Sequence, residues 1–136
     1  MRVVLDTNVL VSALIFPGGE TELVYRQALD ERVQLITSRA LLAELGSVLE
    51  SKFGWGPSQV EEAVGQLVRI AFLVEPTARI NEISIDDADN RVLEAAAEGG
   101  SAAIVSGDRH LLELESWCAI PVQPPPDFLR SFGDPS

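Results

Sequence analysis

The sequence predicts an α/β fold, three layers α/β/α around a central parallel five-stranded sheet. Two observations carry that expectation. Short apolar runs alternate with longer segments of helical period along the chain, the pattern of βαβ units and a parallel sheet. Two of those runs also end on a carboxylate. Val3-Val4-Leu5 stops at Asp6, and Ala102-Ala103-Ile104-Val105 leads through Ser106-Gly107 to Asp108. In an open α/β sheet, ligands bind outside the carboxyl ends of the strands, where the strand order reverses. If Asp6 and Asp108 share a site, strands one and four are neighbours and the order reverses there.

The elements follow in order. Residues 2–5 read as a fully buried strand and residues 8–14 as a helix. Pro17-Gly18-Gly19 breaks the chain. Residues 20–29 are helical, with Leu23, Val24 and Ala28 on one face. Val-Gln-Leu-Ile-Thr at 33–37 is the second strand. Ser38 has the chemistry of an N-cap for a helix running to Lys52. Residues 54–58 are a turn, and Pro57-Ser58 opens a helix to about Ile70. Residues 71–75 are the third strand. Residues 76–84 are a loop in which Ile80 and Ile83 pack. Asp86 starts a helix that ends at Gly99-Gly100. Residues 102–105 are the fourth strand, 109–113 a short helix, and 118–122 the fifth strand, with Cys118 a small buried hydrophobe. Pro124-Pro125-Pro126 is a polyproline spacer before the segment 127–132. The whole, 1–136, is one domain with a proline-rich tail at 124–136.

Composition narrows the function. The chain is 46% hydrophobic but only 6% aromatic, so aliphatic side chains must fill the core. No run approaches the ~20 apolar residues of a membrane span. Asp6-Thr7-Asn8 interrupts the N-terminal apolar stretch, which does not read as a secretory signal. A single cysteine forms no internal disulfide and suits a reduced cytoplasm. Acids outnumber bases 21 to 10, for a formal charge of −11. That field repels nucleic acid. Any nucleic-acid chemistry must therefore rest on a bound metal and a local basic patch. An acidic surface also suits a basic protein partner.

Four carboxylates are candidate ligands. On its helix, Asp89 stands three, four and seven residues before Val92, Leu93 and Ala96, so the helical wheel places it inward. A buried carboxylate needs a partner, whereas Asp86 and Asp87 already serve the helix dipole. Glu44 flanks the stripe Leu41, Leu42, Leu45, Val48, Leu49, a position that by itself favours a solvated acid over a ligand. Asp6 and Asp108 each have an ordinary role open to them, as N-cap or turn residue, but they hold the same place at two strand ends. Asn8 and Ser106 can hydrogen-bond a carboxylate or a metal-bound water. Oxygen donors select a hard ion, Mg²⁺ or Mn²⁺. One histidine and one cysteine are too few for a structural zinc site. Such an ion would orient a phosphodiester and activate water. No Walker loop, G-x-G-x-x-G or nucleophile elbow is present. An aspartate-nucleophile phosphotransferase would need a second Asp where Asn8 stands.

Asp6-Thr7-Asn8-Val9-Leu10, Ser38-x-x-Leu41-Leu42-x-Glu44-Leu45, Asp87-Ala88-Asp89-Asn90 and Ser106-Gly107-Asp108-x-His110-Leu111-Leu112 together resemble a PIN domain, in the family's order. Pro126-Asp127-Phe128-Leu129 is similar to the end of this subgroup. The resemblance implies a metal-dependent nuclease, and for a small single-domain member a VapC-type toxin, an RNase held inactive by a cognate antitoxin. It implies Asp6, Glu44, Asp89 and Asp108 as catalytic and metal-binding residues, with Asn8 and Ser106 supporting. The family more often has Thr at position 106; Ser keeps the hydroxyl. Arg39, Arg91 and Arg109 lie near these residues in sequence and are candidates for phosphate contact. A homodimer is also implied. The expected activity is endonucleolytic cleavage of RNA by metal-activated water, in the cytoplasm. The alternatives are an RNA-processing or decay nuclease without antitoxin, and a non-catalytic interaction module.

Overall fold

The computed structural model describes residues 1–77, 79 and 87–133. The strands are β1 (Arg2–Leu5), β2 (Gln34–Ser38), β3 (Ala71–Val74), β4 (Ala103–Val105), β5 (Ser116–Trp117) and β6 (Ile120–Gln123). The helices are α1 (Thr7–Ile15), α2 (Glu20–Leu29), α3 (Arg39–Phe53), α4 (Pro57–Ile70), α5 (Asp87–Glu98), α6 (Arg109–Leu112) and α7 (Pro125–Phe128). The sheet order is β3-β2-β1-β4-β6-β5, parallel throughout except for the β5–β6 hairpin. The expected packing of Ile80 and Ile83, and the helix start at Asp86, lie outside the described residues.

The inner stretches of the central strands, Val3–Leu5, Leu35-Ile36 and Ala103–Val105, are apolar on consecutive positions because both faces are covered. In β1, Val3 and Leu5 join the core beneath α1–α4, while Val4 joins the core beneath α5 and α6. β2 divides the same way, Leu35 to one core and Ile36 to the other; so does β4, with Ala103 and Val105 opposite Ile104. This alternation is the two-residue period of a strand. Among the described residues, no helix is long and apolar enough to cross a membrane.

Local chemistry sets the helix ends. The Ser38 hydroxyl caps α3 by accepting from the Leu41 amide (3.3 Å), and Gly54 closes it in the left-handed region at φ 66°, which glycine enters without steric cost. Pro57 stands in the first turn of α4, where no intrahelical N–H is needed. Gly99, after α5, lies so close to β2 that a Cβ there would meet Ile36 Cγ2 at 2.6 Å.

Three expectations for the C-terminal part are corrected. The sheet has six strands, because residues 116–123 form a hairpin instead of one strand. Cys118 and Ala119 are its turn, both at positive φ (52° and 64°). The expected fifth strand at 118–122 is thus interrupted at its start, and Cys118 is exposed rather than buried. The three prolines are no spacer either. Pro124 is the N-cap of α7 and Pro125 its first residue, and their fixed φ suits both places. The helix drives Phe128 fully into the core beside α2, and Leu129–Gly133 continues as a π-helical turn.

Candidate active site

The reversal of strand order falls between β1 and β4, which run from the middle of the sheet in opposite topological directions. Leu5 pairs with Val105 in register, and the Asp6 amide donates to the Val105 carbonyl (2.9 Å), extending the ladder by one residue. Asp6 and Ser106 therefore stand side by side. Both have the strand parity of Val4 and Ile104, which places them on the face covered by α5. The Ser106 amide is held by the Gln123 carbonyl of β6 (3.0 Å).

A short chain of hydrogen bonds joins the two strand ends. The Ser106 hydroxyl, fully buried, donates to Asp6 Oδ2 at 2.8 Å. Ser106 Oγ itself accepts from the Asp108 amide at 2.9 Å. Asp108 Oδ1 in turn accepts from the His110 amide at 2.8 Å, capping α6. Asp6 is only 4% exposed, and its side chain does not cap α1. Its carboxyl is pushed above its ordinary range, chiefly by burial; the nearby Asp108 charge pushes the same way, while the Ser106 hydroxyl and the Asn8 and Thr7 amides pull it down.

The other candidates occupy the same edge of the sheet. α5 runs antiparallel to β4, which follows it, so the first turn of α5 lies over the strands' carboxyl ends. Asp89 in that turn is buried, with Asn90 beside it. Glu44 lies in the second turn of α3 and is half-buried next to Leu45, which is in the core. Asn8, exposed on α1, lines with Asp108 a cleft of about 410 Å³. Among the described residues, no three Asp, Glu, His or Cys side chains gather closely enough to enclose an ion.

The three arginines differ from one another. Arg39 faces Glu75 at 3.4 Å and Arg109 faces Glu113 at 3.6 Å, all four side chains largely exposed; such pairs are weak and readily exchanged for another anion. Arg91, in contrast, is buried in an ion pair with Glu94 (3.0 Å) within α5. It is not a solvated surface residue, and it lines with Arg39 a second cleft.

The site also holds residues that sequence reasoning did not single out. Ser12, Thr21 and Pro125 line the cleft beside Asp108. Ser12 had a signal: it is the single polar residue in the run from Val9 to Ile15, and four residues after Asn8 it shares that residue's face. Thr21 and Pro125 had none.

Comparison with known proteins fits this geometry. The model of the PIN domain matches residues 2–110. The chain belongs to the PIN domain family. It is 28% identical over 118 residues to the protein MJ1680 of Methanocaldococcus jannaschii, covering 84% of this chain and 75% of that one. Two solved structures share the fold. One is VapBC2 of Rickettsia felis, bound to a DNA fragment from its promoter: TM-score 0.64, 15% identity, 91% of this chain and 98% of that one. The other is VapBC-1 of nontypeable Haemophilus influenzae: TM-score 0.63, 14% identity, 93% and 99% covered.

The donor chemistry present fits a hard divalent ion. Asp6 and Asp108 offer oxygen only, and their mutual repulsion is what a cation would relieve. Mg²⁺ is commonly held by one or two carboxylates together with waters and substrate phosphate.

Proposed function

We propose that this PIN domain is a metal-dependent endoribonuclease and the toxin of a toxin–antitoxin pair. The observation that carries the reading is the buried Asp6, set against Asp108 through Ser106 at the switch point of the sheet. A surface acid has no use for such burial, whereas a metal ligand does. Asp6 and Asp108 would hold Mg²⁺ or Mn²⁺, with Asp89 and Glu44 completing the acidic edge through the ion's waters. The ion when bound supplies positive charge at a phosphodiester and lowers the pKa of attacking water.

The chain's own residues do the rest. Ser106 fixes Asp6 Oδ2 by its hydroxyl, and Asp108 is fixed by the His110 amide. Each carboxylate thus has one oxygen oriented by the protein. Asn8 stands exposed at the mouth, where its amide can orient substrate. Arg39 and Arg109, loosely paired, can exchange their carboxylates for RNA phosphates.

The toxin reading draws on the VapBC neighbours, which are toxin–antitoxin complexes, and on the charge. A formal −11 hinders substrate approach but favours a partly basic antitoxin. Phe16, 62% exposed and in edge contact with Phe53, leaves apolar surface of the kind a partner covers. A homodimer is part of the same proposal, and sedimentation of the purified chain tests it.

The deciding experiment is digestion of total cellular RNA by wild type and Asp6→Asn in Mg²⁺, Mn²⁺ and EDTA. Discrete fragments are expected from wild type with metal only. Equal cleavage by the mutant or in EDTA would overturn the site, and no cleavage together with no metal binding by calorimetry would overturn the enzyme.

A further inference from the structure

We propose that the cleft beside Asp108 is a subsite for one nucleotide of single-stranded RNA next to the scissile bond, with Ser12 and Thr21 as its specificity-determining residues. The proposal rests on the nuclease reading above and adds to it what the site recognises. The cleft is lined by Asn8, Ser12, Thr21, Asp108, Arg109 and Pro125 and measures about 410 Å³, at the small end of ligand sites. That is room for a nucleotide, not for a duplex, which proteins contact across successive grooves.

Its chemistry is graded. Asp108 stands at the catalytic end. Arg109, at the rim, is 80% exposed and only loosely paired, placed for a backbone phosphate. Pro125 gives an apolar wall. Between them two helices bring their hydroxyls together: Thr21 Oγ1 donates to Ser12 Oγ at 2.9 Å. Ser12 then keeps its own O–H to donate, and Thr21 keeps lone pairs to accept. With the Asn8 amide, also donor and acceptor, these groups offer a mixed hydrogen-bonding edge. Such an edge distinguishes bases by pattern, and an unmatched base leaves polar groups unpaired.

The Ser12–Thr21 bond also ties α1 to α2, so the test must separate recognition from simple stapling. Binding of four uniform single-stranded octaribonucleotides, one per base, is measured by fluorescence anisotropy at low salt in Mg²⁺, with Asp6→Asn as the non-cleaving background. The background protein should prefer one base. Adding Thr21→Val, or Ser12→Ala, should weaken the preferred RNA about three- to tenfold per hydroxyl and bring the four affinities together. Thr21→Ser, which keeps the hydroxyl, should restore the preference. Thermal melts confirm that each variant is folded. RNA binding with the same base preference in Thr21→Val and Ser12→Ala, or no preference in the background protein, overturns the subsite and leaves the nuclease reading standing. Failure of every RNA to bind overturns the subsite, while the nuclease reading stands or falls on the digestion and calorimetry above.

Discussion

Asp6 and Asp108 hold equivalent places, each ending a central strand and starting a helix, yet the fold treats them differently. Asp6 is sealed under α5 and is pushed toward its neutral form chiefly by burial. Asp108 is half-buried, caps α6 and borders the open cleft. One carboxylate has been placed against the interest of stability; the other performs an ordinary structural task as well. The difference says where to look for function: in a group whose environment opposes its charge.

The largest expected effect follows from that contrast. Asp6→Asn should reduce cleavage about 10³-fold or more, the scale of losing a main electrostatic group, while raising the thermal midpoint in EDTA. Initial rates and melts on one preparation check both, and a lowered midpoint would break the comparison. Ser106→Ala should weaken metal binding about 10- to 100-fold, because Asp6 loses its hydroxyl donor. Calorimetry with Mn²⁺ measures it.

Metal-free stability should also depend on pH in a definite direction. The folded chain holds Asp6 above its ordinary pKa, so it binds more protons than the unfolded chain between those two values. This contribution is therefore favourable on the acid side and is lost as pH rises through the window. Denaturant titrations of wild type and Asp6→Asn at a series of pH values should show this component in wild type alone. The smallest effect concerns the cap. Asp108→Ala should cost about 1 kcal/mol, whereas Asp108→Asn, which can still cap, should cost only tenths. Equal losses would show that the cap is not what Asp108 contributes to stability.

The fold from β1 to β3 was legible because its signals were local. β1 and β2 are apolar runs of strand length, α3 carries its serine cap and closing glycine, and α4 begins on proline. The C-terminal hairpin was illegible because its turn uses Cys118 and Ala119, residues without turn chemistry, which adopt the left-handed region under tertiary constraint. The prolines of α7 misled in a different way, since proline serves a spacer and a helix start equally well, and only the burial of Phe128 decides. In the site, the strand-end acids were visible because a strand's direction fixes where it ends. The environment of Arg91 was not: burial with Glu94 requires knowing what covers α5. The pairing of Ser12 with Thr21 depends on how two helices fold back on each other, which spacing alone does not fix.

The hydrogen bond from Ser106 to Asp6 joins residues 100 positions apart, and β1 finds its partner β4 over the same span. Closing so long a loop is among the slow events of folding. A growing chain therefore carries Asp6 for 100 residues before Ser106 is added, and has no centre to place it in until then. The order of synthesis itself keeps this site unassembled until β4 and Ser106 have followed β1 into the chain.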